Sequence, residues 1–141
     1  ASLHDSNADC TLCDAGTYLA DDGGTDNTLH DNVNDCTTCS SGRYSGAGAD
    51  TCIDCGAGKY LADDGTDASL HDSNADCTLC DAGTYLADDG GTDNTLHDNV
   101  NDCTTCSSGR YSGAGADTCI DCGAGKYLAD DGTDASLHDS N

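Results

Sequence analysis

The chain has 141 residues, of which 27 are aspartate and only 4 are lysine or arginine, so its formal net charge is −23. This charge excludes direct binding to nucleic acids, whose phosphates it would repel, and no apolar run approaches the ~20 residues of a membrane-spanning helix. Phe, Trp, Met and Pro are absent, and the few Leu, Ile, Val and Tyr side chains cannot form an ordinary hydrophobic core. Cross-links through the 12 cysteines are therefore expected to replace that core.

The sequence is a tandem repeat. Residues 1–67 recur without any change as residues 68–134, and residues 135–141 begin the same unit again. Self-similarity at a fixed period is typical of solenoids and repeat arrays. We interpret residues 1–67 and 68–134 as two identical repeat units and residues 135–141 as the start of a third. The chain is then expected to be an excerpt of a longer array.

Three smaller modules follow one another within each unit, and each has the pattern C-x-x-C-x-x-G-x-Y. In chain order the first unit contains CTLCDAGTY at 10–18, CTTCSSGRY at 36–44 and CIDCGAGKY at 52–60. Tyrosine beside Thr, Arg or Lys favours short strands at 16–20, 42–45 and 58–62. No segment has apolar residues with helical periodicity over three turns, which argues against long helices. The predicted fold class is small and disulfide-rich, mostly irregular with short β-ribbons, and arranged as a linear tandem-repeat rod or solenoid.

The C-x-x-C pairs are compatible with three kinds of chemistry. An even number of cysteines in a chain without a core favours disulfides. Two C-x-x-C pairs with 22 residues between them also approach the spacing of a four-thiolate zinc site. Thiol redox catalysis is the third, although such sites normally occur once in a chain and this motif recurs in every module. Disulfides are expected, and pairing within each C-x-x-C stays open.

The pattern C-x-x-G-x-Y, followed by a variable loop and C-x-x-C, resembles the ephrin-receptor-like cysteine-rich repeat. It is also similar to the first part of tumour necrosis factor receptor repeats. The resemblance extends over all the modules, as in CDAGTY at 13–18 and CGAGKY at 55–60. It implies an extracellular, disulfide-linked, elongated stalk, of the kind found in protist surface proteins and flagellar-hair glycoproteins.

The receptor resemblance also implies a pairing of the cysteines, in which the second cysteine of one pair bonds to the first cysteine of the next. The implied disulfides are Cys13–Cys36, Cys39–Cys52, Cys55–Cys77, Cys80–Cys103 and Cys106–Cys119. Cys10 and Cys122 would then pair with cysteines outside residues 1–141.

Aspartates are concentrated in the long loops that follow the first and third modules. Carboxylate oxygens at this density suit Ca²⁺, which is the one cofactor that the sequence suggests. The spacing matches neither an EF-hand nor the glycine-rich calcium repeat, and solvated turns are the alternative. The candidate ligands are Asp21, Asp22, Asp26, Asp31, Asp63, Asp64, Asp67 and Asp72.

Leu-His-Asp recurs in the same loops, at 29–31 and 70–72. The three residues are contiguous, whereas a catalytic triad needs side chains that converge from separate segments. We therefore expect a structural contact that is repeated along the array, with Leu29 and Leu70 filling the space beneath the long loops. No pair of residues indicates catalysis, and an enzyme is not expected.

These observations predict a structural repeat segment of an extracellular or cell-surface fibre, appendage or coat protein that associates with itself. Exposed hydroxyls in such a stalk are candidates for O-linked glycans. The candidate glycosylation sites are Thr37, Thr38, Ser40 and Ser41. Two other functions stay open, namely a receptor-like or adhesin-like binding module and a zinc- or calcium-binding repeat array, which a chelator would unfold.

Overall fold

The computed structural model describes residues 7–21, 27–91 and 93–140, and in these ranges it contains only two-residue strands and three-residue 3₁₀-helices. The strands are β1 (Thr17–Tyr18), β2 (Thr37–Thr38), β3 (Arg43–Tyr44), β4 (Ile53–Asp54), β5 (Lys59–Tyr60), β6 (Thr78–Leu79), β7 (Thr84–Tyr85), β8 (Thr104–Thr105), β9 (Arg110–Tyr111) and β10 (Ile120–Asp121). The 3₁₀-helices are Asn7–Asp9, Asn27–Leu29, Val33–Asp35, Ala68–Leu70, Asn94–Leu96, Val100–Asp102 and Ala135–Leu137. The predicted disulfide-rich fold with short β-ribbons in tandem is confirmed.

Each β-ribbon joins one module to the next. We number the modules from their first cysteine, as module 1 (10–35), module 2 (36–51), module 3 (52–76), module 4 (77–102), module 5 (103–118) and module 6 (119–140). The G-x-Y strand of a module pairs antiparallel with the residues inside the C-x-x-C of the following module, so that Arg43 lies opposite Asp54 and Tyr44 opposite Ile53. The five ribbons are β1–β2, β3–β4, β5–β6, β7–β8 and β9–β10.

A disulfide closes every step between these modules. Each bond joins the second cysteine of a module to the first cysteine of the next, which is the pairing that the resemblance implies. The bonds are Cys13–Cys36, Cys39–Cys52, Cys55–Cys77, Cys80–Cys103 and Cys106–Cys119. Cys10 and Cys122 carry free thiols. Disulfides at this density indicate an extracellular or secreted protein.

The core is built from cysteines rather than from large apolar side chains. The second cysteines of modules 2 to 5 are fully buried. Tyr44 of module 2 packs against a small cluster of Cys55, Leu61 and Cys77, which includes the disulfide between modules 3 and 4. Disulfides therefore take the place of large apolar residues in the core, and only small clusters such as this one pack around them.

Backbone hydrogen bonds between modules continue beyond the two-residue ribbons. The glycine amide of G-x-Y donates to the residue that follows the tyrosine of the next module, as from Gly42 N to Leu61 O at 2.9 Å. The residue after the tyrosine donates in turn to the loop of the next module, as from Ser45 N to His71 O at 2.9 Å. The equivalent bonds in the second repeat unit are Gly109 N to Leu128 O and Ser112 N to His138 O.

Candidate functional site

A buried side-chain donor closes each boundary between modules. It donates to the carbonyl of the middle residue of G-x-Y in the preceding module. Ser45 Oγ donates to Thr17 O at 2.9 Å, and His71 Nδ1 donates to Arg43 O at 2.7 Å. The other boundaries have His97 Nδ1 on Lys59 O, Ser112 Oγ on Thr84 O and His138 Nδ1 on Arg110 O. All these donors are fully buried. A buried carbonyl that loses its donor costs about 1–3 kcal/mol, so each donor stabilises its boundary.

The second ring nitrogen of each buried histidine lies against a carboxylate of its own loop. His71 Nε2 is 2.9 Å from Asp63 Oδ1. The equivalent distances are 2.9 Å from His97 Nε2 to Asp88 Oδ1 and 2.8 Å from His138 Nε2 to Asp130 Oδ1. A carbonyl and a carboxylate are both hydrogen-bond acceptors, and only the doubly protonated imidazolium donates to both. Each of the three rings therefore lies between two acceptors, and for His138 the geometry assigns a buried cation paired with Asp130.

The pKa shifts agree with this ion pair. The pKa values of Asp63, Asp88 and Asp130 are lowered from 3.8, first by the hydrogen bond from the histidine and second by the amide of the glycine two residues further on. The pKa of His138 is raised from 6.5, first by its bond to the Arg110 carbonyl and second by its bond to Asp130. Both directions favour the charged forms of the His138–Asp130 pair.

The leucines beside the histidines do not fill the loops. Leu29 and Leu70 are 44% and 46% exposed, so the prediction that they occupy the space beneath the long loops is wrong. His71, the next residue after Leu70, is fully buried instead. The physical reason is the strand carbonyl at the module boundary, which needs a donor that a leucine side chain does not have.

Glycine lets a loop lie close against the module two steps before it. A Cβ on Gly58 in module 3 would be 2.1 Å from the carbonyl oxygen of Gly115 in the loop of module 5. Gly58 also has a φ of +74°, which L residues rarely adopt. Gly125 holds the same place in the second repeat unit and has a φ of +79°, yet a Cβ there would have no atom within 4 Å. The close contact, and not the local turn, distinguishes the two glycines, because residues 1–141 contain no module two steps after that of Gly125.

Several candidate calcium ligands accept hydrogen bonds within turns. In the loop of module 3, three aspartates each accept from the backbone amide two residues further on, namely Asp63 from Gly65, Asp64 from Thr66 and Asp67 from Ser69. In the loop of module 1, Asp21 Oδ1 lies 2.7 Å from His30 Nε2. These contacts are those of acidic turns, the alternative that the sequence left open.

The remaining candidate ligands are dispersed or undescribed. Asp31 and Asp72 are exposed, while Asp22 and Asp26 lie outside the described residues. In the part of the chain that the structure describes, no three His, Cys or Asp side chains form a group that could hold a metal ion. Calcium binding therefore stays a prediction from composition.

Three of the four candidate glycosylation sites line a hydroxyl-rich cleft. The cleft has a volume of about 270 Å³, and its walls include Tyr18 and Arg43 together with Thr37, Thr38 and Ser40. An equivalent cleft of about 290 Å³ recurs in the second repeat unit. The carbonyl of Ser41 accepts a hydrogen bond from Asn94 Nδ2 at 2.9 Å, which places Ser41 in a contact between modules 2 and 4. Thr37 is exposed, so its hydroxyl is accessible to a modifying enzyme.

The buried serines are functional residues that sequence reasoning missed. In modules with a long loop the residue after the tyrosine is leucine, as at Leu19 and Leu61, whereas in modules 2 and 5 it is Ser45 and Ser112. The short loops of modules 2 and 5 contain no histidine, and serine supplies the missing donor there. This exchange of leucine for serine was the signal that could have identified them.

Across residues 7–21, 27–91 and 93–140, no helix has the length and apolar character needed to cross a membrane. No family model matches the chain, and no curated protein matches it. The proposed function of the chain therefore rests on the disulfides and on the other contacts between modules.

Proposed function

We propose that the chain is a structural repeat segment of an extracellular fibre, appendage or coat protein. The observation that supports this proposal is the unbroken series of module boundaries, each closed by a disulfide, a two-residue ribbon and a buried donor. Because the disulfides and ribbons join neighbouring modules, and the loop contacts of Gly58 and Asn94 reach the module two steps away, an array of this kind can lengthen by adding units that repeat the same contacts. Its role is mechanical rather than catalytic.

The surface suits such a role outside the cell. A net charge of −23 makes separate arrays repel one another at low ionic strength, and physiological salt screens that repulsion over about 8 Å. Self-association into a fibre is therefore expected only where charges are screened. Glycans on exposed hydroxyls such as that of Thr37 would add a hydrated coat at the cell surface.

A reductant is expected to unfold the chain, whereas a chelator is expected to leave it folded. Each disulfide closes a loop of 13 to 23 residues and contributes roughly 3 kcal/mol, and five of them are comparable to the whole stability of a small domain. Reduction at 25 °C should therefore unfold the chain, whereas EDTA should leave it unchanged. Small-angle scattering and resistance to proteolysis measure both effects.

The same experiment separates the proposal from the metal-binding alternatives. A chain that stays folded in reductant would contradict the structural role of the disulfides. Unfolding in EDTA under oxidising conditions would favour the zinc or calcium array instead. The matched control is the oxidised chain incubated with an already oxidised reductant.

A further inference from the structure

We infer that the disulfides form a continuous covalent load path, which sets a short upper limit to the length of the array under tension. The inference rests on the proposed structural role and deepens it, since it states what the array does when it is pulled. It follows from which cysteines are joined, and it does not depend on the strength of any noncovalent contact.

The load path alternates between disulfides and short C-x-x-C segments. From Cys13 it crosses to Cys36, follows the backbone to Cys39, and crosses the next disulfide to Cys52. The same alternation continues through the remaining disulfides to Cys119. The intervening loops are closed rings beside this path. Unfolding a loop therefore does not lengthen the path, because covalent bonds already connect its two ends.

Chain dimensions show how short the path is. Between Cys13 and Cys119 it contains five disulfides, with Cα–Cα distances of 5.7 to 6.0 Å, and four C-x-x-C segments of three peptide steps each. At ~3.6 Å per peptide step its greatest length is ~70 Å. The polypeptide between the same two cysteines has 106 steps and would reach ~380 Å at that rise per step. About 310 Å of extended chain length therefore lies inside the loops that the disulfides close, and this withheld length is released only when the disulfides break.

Stretching single molecules measures this withheld length. The full chain is held by cysteine-free peptide tags at its two ends and is pulled in optical tweezers, first without reductant and then with dithiothreitol. Without reductant, the span from Cys13 to Cys119 should stop at ~70 Å. With reductant, each disulfide of sequence separation 22 or 23 should release ~75 Å, and each of separation 13 should release ~40 Å. The expected record has three long steps and two short ones.

Paired cysteine variants identify the steps. Removing the ring between Cys39 and Cys52 with Cys39→Ser and Cys52→Ser should lengthen the oxidised chain by ~40 Å and abolish one short step. Removing the ring between Cys55 and Cys77 in the same way should lengthen it by ~75 Å and abolish one long step. Both readings are taken on stretched chains, so they do not require the variant to fold around the missing ring.

Thiol labelling of the same sample distinguishes the two ways in which the idea can fail. Extension of the unreduced span well beyond ~70 Å, with only Cys10 and Cys122 reactive, would overturn the load path and leave the structural role intact. Reactive thiols at the other cysteines would remove the ladder itself, and the proposed function with it.

Discussion

Gly58→Ala should destabilise the chain more than the equivalent substitution in the second repeat unit. The added methyl group would lie 2.1 Å from the carbonyl oxygen of Gly115. Module 3 cannot move away without breaking the hydrogen bond from Gly58 N to Leu86 O, which is 2.9 Å long. The positive φ costs an L residue about 1–2 kcal/mol, and the clash adds about 1–3 kcal/mol. Urea unfolding, followed by the near-ultraviolet circular dichroism of tyrosine and disulfides, measures the loss.

Gly125→Ala is the matched control for this substitution. Gly125 has the same sequence neighbours as Gly58 and nearly the same φ, but a methyl group there would meet no atom within 4 Å. It should cost only the about 1–2 kcal/mol of the backbone conformation. Amide hydrogen exchange adds a local readout. Leu61 N donates to His97 O at 2.8 Å between modules 3 and 4, and this amide should exchange at least tenfold faster in Gly58→Ala than in the unchanged chain. Equal losses in the two variants would mean that the contact between modules 3 and 5 contributes nothing.

Alkaline pH should loosen the boundary between modules 5 and 6. The pKa of His138 is raised in the folded chain, so its contribution to stability is complete below 6.5 and is lost as the pH rises through the raised value. The pKa of Asp130 is lowered, so its contribution is present above 3.8 and is lost as the pH falls through the lowered value. The ion pair should therefore be most stabilising between about pH 4 and pH 6.5. Nitrogen-15 spectra of the imidazole follow both ring nitrogens directly.

The charged groups around His138 make the pH prediction specific. Asp130 and Asp134 face the ring from its own loop, while module 5 presents the Arg110 carbonyl. The Arg110 guanidinium is engaged elsewhere, with its Nε 2.8 Å from Asp121 Oδ1. Below pH 6.5 both ring nitrogens should carry protons. A neutral ring at pH 6, with one unprotonated nitrogen, would contradict the assignment of an imidazolium.

Three variants separate this ion pair and its carbonyl contact from the general acidity of the surface. Asp130→Asn supplies an amide that can donate to a neutral imidazole, so the loss of stability as the pH rises should become smaller, while the bond to the Arg110 carbonyl remains. Asp139→Asn removes one charge from the exposed residue that follows His138 and should leave the pH dependence unchanged. His138→Leu should cost about 1–3 kcal/mol at high pH, because the Arg110 carbonyl loses its donor, and more below pH 6.5, where the ion pair is lost as well.

The spacing of cysteine, glycine and tyrosine was sufficient to predict the modules and the strand at each tyrosine, but not the partner strands inside C-x-x-C. Strands predicted around the three tyrosines of the first unit are present as Thr17–Tyr18, Arg43–Tyr44 and Lys59–Tyr60. Composition also predicted the character of the core, because a chain with so few large apolar residues has little but cysteine to bury. These features depend on local sequence, and local sequence was enough for them.

The roles of the buried histidines and serines could not be predicted in the same way. Ser45 and His71 each reach a carbonyl 28 residues earlier in the chain, and nothing in the local sequence shows which carbonyl lacks a partner. Hydrophobicity alone favoured leucine over histidine in the interior, and it was misleading because the unpaired carbonyl decides the choice. The aspartates raised a similar ambiguity, since turn-forming and calcium-binding aspartates have the same composition.

Disulfide mapping after cleavage at aspartate tests the ladder most directly, because Asp54 lies between the two cysteines of module 3. Free thiols are alkylated in denaturant, the chain is cut on the amino side of aspartate, and linked peptides are identified without reduction. The ladder predicts that peptide 50–53, which contains Cys52, is linked to peptide 35–49, which contains Cys39. A link between peptides 50–53 and 54–62, which would place the bond inside C-x-x-C, or an alkylated thiol in peptide 50–53, would contradict it. Alkylation of the sequence of 54–62 is no test, because residues 121–129 have the same sequence and contain the free Cys122.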